Sequence, residues 1–102
     1  MKGEDLSLLR GTVLSDCKPD FSFWMCNGNI ERNLYELLSA IKTSDDWIFK
    51  YHVNSDNNKN DFANWIRDVL GDKILADRLK NVLDKNRYVK IIERRIKQLE
   101  LA

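Results

Sequence analysis

The stretch Asn60-Asp61-Phe62-Ala63-Asn64-Trp65-Ile66-Arg67-Asp68-Val69-Leu70-Gly71-Asp72 decides the fold class. Phe62, Trp65, Ile66, Val69 and Leu70 recur at i, i+3, i+4, i+7 and i+8, a spacing that lines one face of a helix and has no counterpart in a strand. Asn60 or Asp61 stands where an N-cap belongs, and Gly71 stands where a chain leaves a helix in the left-handed conformation. Asp72 then caps a following helix with Ile74, Leu75, Leu79, Val82 and Leu83 as its apolar positions. A last helix, from about Asn86, carries Tyr88, Ile92, Ile96 and Leu99 inward.

Working upstream, Ser44 opens a helix with Asp45 and Asp46 in its first turn; Trp47, Ile48 and Tyr51 are read as inward, with an end near Val53. Before it, Ile30, Leu34, Leu37, Leu38 and Ile41 form another helical stripe, with Asn29 as the expected cap. Residues 20–26 change period. Phe21, Phe23 and Met25 alternate with Ser22, Trp24 and Cys26, which reads as a strand covered on both faces. Its expected partner is Gly11–Ser15, across a turn at Pro19. The expectation is a mainly α fold: a compact bundle of about five helices with a short N-terminal β-hairpin or extended strand over residues 11–26. It forms one domain over residues 1–102, with residues 1–19 a less ordered arm or first strand and the core in residues 20–100.

The composition excludes several classes. The 102 residues carry 17 Lys plus Arg against 16 Asp plus Glu, so no global field steers the chain toward nucleic acid or anionic lipid. The longest apolar run is Phe23-Trp24-Met25-Cys26, far short of the roughly 20 residues of a spanning helix, and no signal-peptide core precedes it. Two cysteines are too few for a secreted disulfide framework, so a reduced, cytoplasmic setting is expected.

His52-Val53-Asn54, the stretch from Asn60 to Asp72, and Leu75-Ala76 together resemble a small family of uncharacterised proteins from archaea and some bacteria, a domain of unknown function. Phe23-Trp24-Met25-Cys26-Asn27-Gly28 and Asn33-Leu34-Tyr35-Glu36-Leu37 are similar to its start, so the resemblance runs over about residues 20–96. This chain departs from the pattern in a longer loop between Asn54 and Asn60. The resemblance implies a compact, mostly helical module and brings no activity, substrate or catalytic residue.

His52 is the single histidine, so any Ser-His or Cys-His mechanism must pass through it. Cys26, Asp61 and Asp68 are its candidate partners, but no nucleophile-elbow or Cys-His signature accompanies it. The plainer reading closes the second helix with His52 and bonds it to the start of the third. Cys17 and Cys26 lack the close spacing of a zinc site, and as drawn in the hairpin they lie too far apart to bridge. Asp56, Asn58 and Asn60 alternate like a calcium loop, yet Asp61 stands at the glycine position and Arg67 at the position of the bidentate Glu. No metal or cofactor is expected. His52, Asn54, Asn60, Asp61, Asp68 and Asp72 form a candidate surface or capping cluster.

Charge is segregated. From Lys85 to Lys97 the chain sets Lys85, Arg87, Lys90, Arg94, Arg95 and Lys97 against Glu93 alone, a candidate basic binding face. From Asp45 to Asp77 it sets seven Asp against Lys50, Lys59, Arg67 and Lys73. The helices around Gly71-Asp72 imitate a helix-turn-helix, but Lys73, Arg78, Lys80 and Asn81 are thin for base readout. The reading is a non-enzymatic interaction or adaptor module. It binds a protein partner or self-associates through a surface around His52–Asp72 and the basic helix, with no membrane role. Alternatives are a nucleic-acid binder using that helix and a small His-dependent enzyme.

Overall fold

A computed structural model describes residues 5–102. The first four residues of the expected arm lie outside the described ones. The elements in chain order are α1 (Leu6–Val13), a 3-10 turn (Pro19–Phe21), β1 (Phe23–Trp24), β2 (Ile30–Glu31), α2 (Leu34–Thr43) and α3 (Asp46–His52). Then come β3 (Val53–Asn54), β4 (Lys59–Asn60), α4 (Asp61–Trp65, continuing as a π-helical stretch over Ile66–Leu70), α5 (Lys73–Leu79) and α6 (Lys85–Glu100). The fold is mainly α, and no described helix is long and apolar enough to cross a membrane.

Most helix starts follow their caps. Asn60 Oδ1 accepts from Ala63 N at 3.3 Å, Asp72 Oδ1 from Leu75 N at 3.1 Å, and Asp84 Oδ2 from Arg87 N at 2.9 Å. Each satisfies one of the N–H groups that a helix start leaves orphaned. Gly71 closes the π stretch at φ 82°, and Asp72 N reaches back six residues to Ile66 O at 3.1 Å, one residue further than the closing bond of a Schellman end because the turns here are π-wide.

The N-terminal third departs from expectation. Residues 6–13 are helical rather than a first strand. Asp5 caps them, accepting from Ser7 N at 3.1 Å, and Leu6, Leu9 and Val13 turn toward the core. The strand at Phe23–Trp24 pairs forward with Ile30–Glu31, so Phe23 faces Glu31 and Trp24 faces Ile30. Its turn is Cys26-Asn27-Gly28, with Gly28 at φ 92°, Gly28 N donating to Met25 O at 2.9 Å and Met25 N donating to Asn29 O at 2.8 Å. Ile30 therefore belongs to this hairpin, and α2 starts later. Asn33 caps it, accepting from Glu36 N at 2.8 Å, while Glu36 reaches back to Arg32 N at 2.8 Å. The strand is covered on one face only: Phe23 and Met25 are buried, but Trp24, Cys26 and also Phe21 are exposed.

The core is aromatic at its centre. Phe62 lies 5.1 Å from Phe23, 5.0 Å from His52 and 6.0 Å from Tyr88, ring centre to ring centre. Such spacings suit tilted and edge-on ring pairs. The aliphatic layer, Leu34, Leu37, Ile41, Ile66, Leu75, Leu79, Ile92 and Leu99, lies around it. α6 packs against α1, α2 and α5, which makes it the central strut of the bundle. Trp47 and Tyr51 do not join this core: α3 buries Ile48, Phe49 and His52 and turns the other two aromatics outward. Val82 and Leu83 follow the end of α5 at Leu79; Val82 packs partly and Leu83 is exposed.

Candidate functional site

The candidate cluster resolves into three polar clamps and two surface residues. His52, at the end of α3, is buried beneath Tyr51 and Phe62. The backbone N–H of Cys26 donates to its Nε2 at 3.0 Å. That nitrogen therefore carries the lone pair, and Nδ1 carries the proton it donates to Asp61 Oδ2 at 2.9 Å. Asp61 Oδ2 also lies 3.4 Å from Lys59 Nζ. The Asp-His pair copies half of a catalytic triad, but the nitrogen that would take a proton from a nucleophile is occupied by main chain.

Asn60 makes the second clamp. Its Oδ1 accepts from Ala63 N and, at 2.5 Å, from the hydroxyl of Tyr88; its Nδ2 donates to Leu79 O at 2.9 Å. Burial raises the Tyr88 phenol well above its ordinary range, so the hydroxyl stays a donor.

Asp72 and Arg95 make the third. Arg95 Nε donates to Oδ2 at 2.8 Å and Nη2 to Oδ1 at 3.0 Å, a two-pronged pair with Arg95 at 0% and Asp72 at 1% exposure. Arg95 Nη1 also donates to Gln98 Oε1 at 2.8 Å.

Asn54 caps the end of α3, donating to Lys50 O at 2.9 Å and accepting from Asn57 N at 3.0 Å. Asp68 is exposed on the π stretch beside Arg67, whose guanidinium bonds it at 2.8 Å and holds its carboxyl below the usual range. Asp68 lines an open groove of about 510 Å³ with Thr12, Cys17 and Phe21, separate from the clamps. His52 and Asp72 are interior, so the surface expected around His52–Asp72 is not built from them.

The basic face is corrected at two positions. Arg95 belongs to the core because α6 turns it inward between Ile92 and Ile96. Lys85 is half-buried; its Nζ donates to Ser44 O and lies 3.7 Å from Asp46 Oδ1. Arg87, Lys90, Arg94 and Lys97 remain exposed. Both cysteines are free, and no three His, Cys, Asp or Glu side chains among the described residues group as metal ligands.

The profile of a family of unknown function, DUF5752, matches residues 45–101, more than half of the chain. The chain belongs to DUF5752. No curated protein and no solved structure matches it. The DUF5752 match opens at Asp45, just before α3, and closes at Leu101, just after α6. It contains the side chains of all three clamps. The one clamp partner outside it is the Cys26 N–H, which docks the hairpin onto the DUF5752 segment.

Among the clamp partners that sequence reading does not pair, Arg95 has a visible signal. Arg95 continues the stripe Ile92, Arg95, Ile96, Leu99 at i, i+3, i+4 and i+7, which marks it as inward. A buried arginine needs a buried anion, and the cap Asp72 supplies it. The Cys26 N–H has no sequence signal, because any residue carries one.

Proposed function

We propose that this member of DUF5752 is a non-enzymatic interaction module that holds a protein partner or a second copy of itself. The observation that carries the reading is the exposure of two tryptophans, Trp24 at 67% and Trp47 at 59%. Each has an apolar companion. Trp24 sits across the hairpin from Ile30, which is itself exposed, and Trp47 stands one turn before the exposed Tyr51. Lys59 Nζ lies 3.9 Å from the centre of the Tyr51 ring. Trp, Tyr and Arg are the side chains that most often anchor protein interfaces, and exposed aromatics mark binding surfaces. The engagement of both His52 nitrogens supports the same reading over a His-dependent enzyme, since a general base needs a free lone pair aimed at its substrate.

Light scattering across a concentration series, with chemical cross-linking in native lysate, tests it. The expected result is an oligomer or a discrete cross-linked partner that disappears in Trp24→Ala or Trp47→Ala while the melting temperature stays within about 2 °C. A monomer with the same cross-linking pattern in both variants overturns the reading. So does a turnover that depends on His52.

A further inference from the structure

Four exposed cations of α6 lie on one line. Arg87, Lys90, Arg94 and Lys97 follow one another at offsets of three, four and three, which keeps them on one helix face for about 15 Å. The opposite face carries Tyr88, Ile92, Arg95, Ile96 and Leu99 into the core. None of the four cationic side chains makes a hydrogen bond or ion pair within the described residues. The carboxylates of the same helix are engaged elsewhere: Glu93 Oε2 accepts from Lys42 Nζ at 3.2 Å and Glu100 Oε2 from the Tyr35 hydroxyl at 2.6 Å. On the α5 flank Arg78 Nη1 donates to Gln98 Oε1 at 3.4 Å, which sets a fifth positive charge beside the row.

We propose that this face binds the phosphate backbone of a nucleic-acid duplex without reading its sequence. The surface lacks what a protein partner needs: no large apolar residue of α6 is exposed between Lys85 and Glu100, and protein interfaces are centred on apolar anchors. A row of cations without an anchor suits a partner whose own surface is evenly anionic. Each strand of a duplex offers one charge per roughly 3.4 Å of axis, so phosphates meet the row in any register. α6 itself exposes no aromatic side chain, its one tyrosine, Tyr88, being buried, so the row of cations carries no stacking platform of its own for single-stranded bases. α2 and α5 pack against both flanks of α6 and hold it flat on the surface, which favours backbone over base edges. This surface is distinct from the exposed tryptophans, so the two readings stand or fall separately.

Fluorescence anisotropy of short labelled DNA and RNA duplexes with the full chain tests it. Affinity should fall with salt at a log–log slope of about −3 to −4, near −0.9 for each of four phosphates, and unrelated sequences should bind within a few-fold of one another. Lys90→Glu with Arg94→Glu should weaken binding at least tenfold and make the slope shallower by about 2, with helicity and melting unchanged. Absence of binding at about 50 mM salt overturns the proposal. It is equally overturned if the doubly reversed variant binds like the parent, or if single strands, an acidic polypeptide or anionic vesicles bind better than duplex.

Discussion

Residues 45–101 and residues 5–33 hold together in different ways. In the later region, buried side chains bond to one another or to main chain across elements: Asp72 to Arg95, and Asn60 to Tyr88 and to Leu79 O. In the earlier region it is mostly main chain that is held. Cys26 N–H is held by His52, Phe21 O by the Trp65 indole at 2.7 Å, and Cys17 N–H by Arg32 O at 2.8 Å. Side chains carry information that a sequence displays, whereas main-chain groups are the same at every position. One region specifies its own shape, and the other takes the shape of what it docks onto.

The sharpest way to break this comparison is Asp72→Ala. It removes the two-pronged carboxylate partner of the buried Arg95 together with the α5 cap, so unfolding in urea should show a loss of about 3–5 kcal/mol. Adding Arg95→Met should restore part of that loss, because the buried guanidinium that Asp72 held goes with it. A loss under about 1 kcal/mol for Asp72→Ala would mean the pair does not hold the later region. Next is His52→Ala, which leaves the Cys26 N–H without its acceptor and should cost about 1–3 kcal/mol. Hydrogen exchange should then speed up over residues 23–31 while residues 85–100 stay protected; equal loss in both would erase the distinction. Gly28→Ala acts within the earlier region alone. A Cβ there meets no atom within 4 Å, yet φ of 92° strains any side-chain-bearing residue, so thermal melting should report a cost of about 1–2 kcal/mol.

The smallest effect is expected at Glu31. Burial, with the Glu36 charge adding to it, raises its carboxyl above the ordinary range. The folded chain thus holds this proton more tightly than the unfolded chain, and stability falls as pH rises through the raised value. Glu31→Gln should therefore stabilise at pH 7, by a few tenths of a kcal/mol to about 1, and the gain should vanish below the ordinary carboxylate range, where both side chains are neutral. A gain that persists in acid would point to packing instead of charge.

The same contrast explains what was legible. The helices from Asp61 onward were readable because period, cap and stop agree at Asn60, Gly71 and Asp72. Ile30 falls by coincidence on the stripe of α2 and draws its expected start too early; Asn33 and Glu36, spaced as a cap and its following acid, are the better signal. α1 was hidden by Gly11, Thr12 and Val13, which look extended, although Leu6, Leu9 and Val13 share a helix face. The expected pairing of residues 20–26 back to Gly11–Ser15 leaves the hairpin signal of Asn27-Gly28 unused. Of the candidate cluster, the residue types were visible but their pairing was not: Asp72 and Arg95 are 23 positions apart, and only the packing of α5 on α6 brings them together.

Asn60 has a consequence for how the molecule opens. One amide side chain is shared by the first turn of α4, the last carbonyls of α5 and a phenol in the first turn of α6. Releasing any one of the three exposes the other two bonds to water. These segments should therefore unzip as one cooperative unit rather than fray separately, and their slowest-exchanging amides should share a single opening free energy.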